Sequence, residues 1–66
     1  MNIILNGQAH TLSENMPLAQ LIDSLGLTGT RIALELNNTI VPRSMHSTTM
    51  LAEGDRVEIV HAIGGG

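Results

Sequence analysis

At 66 residues and with no cysteine, the chain has room for one domain and none for a disulfide, a thiolate zinc site or a cysteine nucleophile. Hydrophobic residues make up 42% and none is aromatic, so the expected core is Leu, Ile, Val, Met and Ala. Six acidic residues against three basic ones give a net charge of −3, and with no aromatic to stack on a base this excludes a nucleic-acid surface.

The first predicted element is a hairpin over residues 1–12, with Asn6-Gly7 at its midpoint. Asn-Gly between two β-prone runs suits a two-residue turn whose residues both take φ > 0. Such a turn sets Leu5 opposite Gln8, Ile3 opposite His10 and Met1 opposite Leu12, with Ile3, Leu5 and Leu12 on one face and His10 among them. Residues 17–25 predict a helix, because Leu18, Leu21, Ile22 and Leu25 form one apolar stripe and Gln20, Asp23 and Ser24 lie off it. Pro17 fits the first turn, and Gly26 fits the left-handed position past the end.

Residues 31–36 alternate, with Ile32, Leu34 and Leu36 on one side and Arg31, Ala33 and Glu35 on the other, the pattern of a half-buried strand. Asn37-Asn38 turns the chain into a short strand over residues 39–41, which Pro42 stops and marks as an edge. Residues 44–52 read as irregular with one turn of helix, and residues 53–55 as a tight turn. Residues 56–63 form the last strand, with Val57, Ile59 and His61 on one face and Glu58, Val60 and Ala62 on the other. The order is β-β-α-β-β-β. One amphipathic helix needs one apolar sheet face to cover it, so the expected class is α+β, a mixed sheet of about five strands packed on a single helix. That is the β-grasp arrangement. The domain spans residues 1–63, and Gly64, Gly65 and Gly66 form a flexible tail, since glycine gains nothing from burial and loses the most entropy on ordering.

Such a tail has a bland reading, a frayed end or a truncation scar, and a functional one. Without β-carbons it can enter a slot too narrow for other residues, and it delivers the α-carboxylate of Gly66. That carboxylate is ionised at neutral pH and a poor electrophile until another enzyme converts it to an acyl-adenylate. A sulfur, thiol or amine nucleophile can then displace AMP. The chain has no lysine and no cysteine, so it has little means of attacking its own activated end, and any covalently carried sulfur belongs at that carboxyl carbon. No Ser or Thr sits in a nucleophile-elbow setting or beside a His base, which argues against catalysis by the chain itself. No apolar run approaches 20 residues and no basic-then-apolar leader opens the chain, so the expectation is a cytoplasmic protein with no membrane partner.

Several stretches match a known family. Ile3-Ile4-Leu5-Asn6-Gly7, Pro17-Leu18-Ala19-Gln20-Leu21-Ile22, Ile40-Val41-Pro42-Arg43, and Gly54-Asp55-Arg56-Val57-Glu58-Ile59-Val60 running into Ala62-Ile63-Gly64-Gly65-Gly66 resemble the ThiS family. These are ubiquitin-like β-grasp sulfur carriers of thiazole synthesis for thiamin. The likeness covers essentially the whole chain. It implies that a ThiF-like adenylating enzyme activates Gly66 with ATP and magnesium, neither bound by this chain. Sulfur drawn from cysteine through a desulfurase then makes a thiocarboxylate, and thiazole synthase takes the sulfur. Gly64 and Gly65 would enter the partners' active sites. The small subunit of molybdopterin synthase shares the fold and the diglycine but is longer and less similar around Pro42-Arg43. Two further readings are a modifier conjugated through Gly66 and an interaction domain with an inert tail.

The remaining candidates are weaker. The three histidines are too dispersed for a zinc motif; His10 and His61 are expected at the sheet margin and His46 exposed in a polar loop. Glu53, Asp55 and Glu58 form a solvated strand end or a negative patch for a basic partner. Val60 and Ala62, joined by Ala33 if its strand pairs alongside, would make an apolar docking surface leading to the tail. Arg43 is a further candidate contact for a partner's acidic group.

Overall fold

The computed structural model describes residues 1–61. The chain runs β1 (Asn2–Leu5), β2 (Gln8–Thr11), α1 (Leu18–Ser24), β3 (Ile32–Leu36), β4 (Thr39–Ile40), a 3-10 turn (Arg43–Met45) and β5 (Arg56–His61). The five strands form one sheet in the order β2-β1-β5-β3-β4. β1 and β5 are parallel and all other pairs antiparallel, so the sheet is mixed, and α1 packs across one face of it. The ubiquitin-like β-grasp expectation is met.

Turn chemistry sets the register. Asn6 and Gly7 have φ of 50° and 81°, both in the left-handed region that a two-residue hairpin turn demands. Ile3 therefore pairs with His10 and Leu5 with Gln8, as the sequence predicts. Asn37 and Asn38, at φ of 51° and 70°, make the equivalent turn between β3 and β4. β3 begins at Ile32, one residue later than expected, and β4 ends at Ile40; Val41 still donates its amide to the Leu34 carbonyl at 2.9 Å. Of the expected last strand, residues 62 and 63 lie outside the described residues.

The helix is shorter than its apolar stripe. Pro17 is not in the first turn but just before it, with ψ at 159°, and its carbonyl accepts from the amides of Gln20 and Leu21. No side chain caps the helix. Its first two amides are satisfied by backbone from the far loop, Leu18 donating to the Thr49 carbonyl and Ala19 to the His46 carbonyl, each at 2.9 Å. Gly26, at φ 73°, takes the expected left-handed position beyond the helix.

Leu18, Leu21 and Ile22 from α1 meet Ile3, Leu34, Val57 and Ile59 from the sheet, with Leu12, Met16 and Leu51 closing the sides. Met16 and Leu51 are core residues that periodicity does not reveal. They are brought together because the Leu51 amide donates to the Met16 carbonyl at 2.9 Å, and Pro17 bridges Met50. Fully burying each of these aliphatic side chains contributes about 1.5–3 kcal/mol. Among the described residues no helix is long and apolar enough to cross a membrane.

Candidate functional site

The site is built around β5, the middle strand of the sheet and the strand that runs into residues 62–66. Alternation along β5 buries Val57 and Ile59 under the helix and turns Arg56, Glu58 and Val60 to the opposite, uncovered face. On that face, Ala33 of β3 stands directly opposite Val60, so the expected pairing of these two docking candidates is observed. Both are exposed, Val60 to 60%. Two residues further along each strand, Glu35 stands opposite Glu58, and Ile40 of β4, 69% exposed, stands opposite Glu35 in turn. Ile4 and Arg56 form the next row toward β1. The open face thus carries small apolar side chains around a pair of like-charged carboxylates. Like charges directly across a sheet are destabilising, so this pair is a cost that a cationic partner would relieve. Ala62, Gly64, Gly65 and Gly66 lie outside the described residues.

The acidic residues separate into two roles. Glu58 belongs to the open face, but Glu53 and Asp55 are occupied in holding the turn before β5. Glu53 accepts the Asn2 amide at 3.0 Å. Asp55 accepts from the Asn37 side-chain amide at 3.0 Å and from the Ala52 backbone amide at 2.7 Å. Glu53 and Asp55 thus brace the turn while Glu58 lies on the open face, where strand pairing adds Glu35 as a neighbour that the sequence alone does not identify.

His10 sits half-buried on the edge strand β2, and His61 is exposed at the end of β5, both at the sheet margin as expected. His46 is a correction. It is only 8% exposed, and its Nε2–H donates to the Val41 carbonyl at 3.0 Å while its own carbonyl caps the helix. The polar residues around it in sequence suggest a solvated loop, but the helix amide above it draws this segment inward.

Two asparagines fasten β5 from both sides. The Asn6 amide donates to the Val57 carbonyl at 2.9 Å, and Asn6 Oδ1 accepts the Ile59 amide at 2.8 Å. The Asn37 amide donates to the Arg56 carbonyl at 2.8 Å, and Asn37 Oδ1 accepts the Arg56 amide at 2.9 Å. Each turn asparagine thus takes left-handed backbone geometry and also extends the ladder onto β5. The sequence signal for the first role is the turn motif; the second depends on a strand 53 residues away in the case of Asn6.

The pattern that defines the ThiS family matches residues 3–66. This chain belongs to the ThiS family. The crystal structure of a thiamine biosynthesis protein (ThiS) from Geobacter metallireducens superposes with a TM-score of 0.88 at 29% identity, covering the whole of both chains. A solution structure of a thiamine biosynthesis protein from the same organism superposes at 0.81, covering 88% of that chain. Thiazole synthases of Paramagnetospirillum magneticum and Magnetococcus marinus are 36% and 38% identical over all 66 residues. The chain spans about a fifth of the length of these two relatives (20% of each). The uncharacterized protein ycf40 of Porphyra purpurea is 35% identical, and the chain covers 93% of it.

Proposed function

We propose that this protein is a sulfur carrier for thiazole formation in thiamin biosynthesis, a co-substrate that performs no catalysis of its own. Membership of the ThiS family over residues 3–66 is the observation that carries this reading. A ThiF-like adenylating enzyme joins the Gly66 carboxylate to the α-phosphorus of ATP, with magnesium, and pyrophosphate leaves. A sulfur nucleophile at the oxidation level of sulfide attacks the acyl carbon, the acyl–oxygen bond to AMP breaks, and a thiocarboxylate remains. Where the sulfur arrives as a desulfurase persulfide, a thiol reduces the sulfur–sulfur bond. Thiazole synthase accepts the sulfur, and the carboxylate returns.

The two bacterial thiazole synthases support a partnership with that enzyme, because each contains a stretch related to the whole of this chain. The open face supports docking of a partner beside the tail. Val60 and Ala33 offer small apolar contact area next to Glu35 and Glu58. A partner with a basic rim around an apolar centre fits that pattern, and the charge would mainly raise the association rate.

The reading is tested by incubating the protein with ATP, magnesium, the adenylating enzyme and a sulfide source and weighing it intact. Replacement of one oxygen by sulfur, located at Gly66 by fragmentation, is expected. An unchanged mass with an adenylating enzyme that modifies its own authentic carrier would refute it.

A further inference from the structure

A second feature of the surface lies away from the open face, on the helix side of the sheet. A cavity of about 430 Å3 opens between α1, the loop leading into β3 and the loop after the 3-10 turn. Its size lies within the range of small-molecule sites. Ala19, Ile22 and Ile32 supply an apolar part of the lining, and Arg31, Arg43 and Ser47 supply a polar part.

Charge is distributed unevenly here. The chain has a net charge of −3 and three arginines, and two of the three line this one cavity. Among the described residues neither of their guanidinium groups is paired with a carboxylate. The Asp23 carboxylate, near the cavity, accepts the Thr28 hydroxyl at 3.1 Å, while Glu53 and Asp55 are taken up at the turn before β5. Two further polar side chains of the lining are also engaged. The Thr30 hydroxyl donates to the Leu27 carbonyl, and the His46 Nε2–H to Val41. The lining residues whose side-chain donors have no partner among the described residues include Arg31 and Arg43, brought from separate elements, and Ser47. An anion entering a concave, partly apolar site lined by two arginines gains from both charges.

We propose that this cavity binds the phosphate group of a small phosphate ester. A tetrahedral phosphate offers oxygens in several directions, which suits guanidinium forks approaching from separate elements plus a hydroxyl. A planar carboxylate would satisfy one fork and leave the other. The apolar lining from Ala19, Ile22 and Ile32 accommodates an organic group on the ester oxygen. The proposal is independent of the carrier reading, and its test needs no adenylating enzyme.

The 15N-labelled protein is titrated with phenyl phosphate, inorganic phosphate and phenol while backbone amides are followed by NMR. Saturable shifts at residues 28–32 and 43–47 with phenyl phosphate, and none with phenol, are expected. Inorganic phosphate distinguishes the sources. Weaker saturation than phenyl phosphate assigns the site to an ester, and equal saturation assigns it to free phosphate; both support the phosphate chemistry. R31Q and R43Q should each weaken binding at least about tenfold, the loss expected for one charge-assisted hydrogen bond, with unchanged thermal stability. Binding of phenol equal to phenyl phosphate, binding undiminished in folded R31Q and R43Q, or no saturable shift with any phosphate would overturn it.

Discussion

The attachment of β5 can be tested at Asn6, where turn geometry and hydrogen bonding are separable. Asn6→Gly keeps the left-handed backbone at φ 50° but removes the Oδ1 that accepts the Ile59 amide at 2.8 Å. Asn6→Asp keeps both. An unsatisfied buried amide costs about 1–3 kcal/mol. Asn6 itself is exposed and water can reach the vacated position, which places the expected loss at about 1–2 kcal/mol. A chain of this size has a total stability of about 3–10 kcal/mol, so that loss is a large share, and it lowers the melting temperature by about 4–8 °C per kcal/mol. Asn6→Asp should lie within about 0.5 kcal/mol of the parent.

Urea denaturation gives the global numbers, and amide exchange at Ile59 gives the local one. In Asn6→Gly the Ile59 amide should exchange faster than the global stability change alone requires. In Asn6→Asp it should remain as protected as in the parent. If both variants were equally stable, or if Ile59 kept its full protection in Asn6→Gly, the side chain would not be fastening β5 and the reasoning would fail.

Other outcomes follow from burial and exposure. Leu21→Ala, at a fully buried helix position facing the sheet, should cost about 2–5 kcal/mol in denaturant titration, enough to unfold a large fraction of the protein at ambient temperature. Val60→Asp should leave the melting temperature within a few degrees, because the side chain is 60% exposed, yet weaken binding to a ThiF-like adenylating enzyme at least about tenfold by calorimetry. Unaltered affinity in the folded variant would discard the open face as the docking surface. Deleting Gly66 should abolish ATP–pyrophosphate exchange by that enzyme without moving the melting temperature, since among the described residues the buried core cluster spans Ile3 to Ile59. Gly65→Val should slow the same exchange on steric grounds; melting of the domain by either tail change would refute the carrier reading of the tail.

Local rules accounted for whatever is set by neighbours in sequence. The Asn6-Gly7 turn fixed the pairing of Ile3 with His10, and the spacing of Leu18, Leu21 and Ile22 identified the buried side of the helix. The alternation of residues 31–36 and 56–61 even placed Ala33 and Val60 on a common face once the strands were paired. What escaped was everything decided by a distant backbone group. His46 is buried because its carbonyl caps α1, 27 residues earlier (46 minus 19). Met16 and Leu51 enter the core through one backbone bond between segments without periodicity. The absence of a Ser, Thr, Asp or Asn at the position of Pro17 was the available clue, because helix amides without a local side-chain acceptor must find one elsewhere.

The same logic explains why the middle strand carries the chain toward its end. β5 bonds to β1 on one side and β3 on the other, and the two turn asparagines add a side-chain acceptor at each flank. Its buried residues, Val57 and Ile59, are held under α1 by the same core that holds Leu21 and Leu34. Force applied to the tail must therefore shear two ladders at once. An edge strand such as β2 or β4 would have peeled from one. On the proposed carrier reading, a partner that draws the terminus into a narrow active site would act on the chain beyond His61 while β5, with Val60 beside Ala33, stays anchored in the sheet. If the carrier proposal holds, tight anchoring of β5 and delivery of Gly66 are one requirement, and Asn6→Gly should slow thiocarboxylate formation, read by intact mass, at temperatures where the domain is still folded.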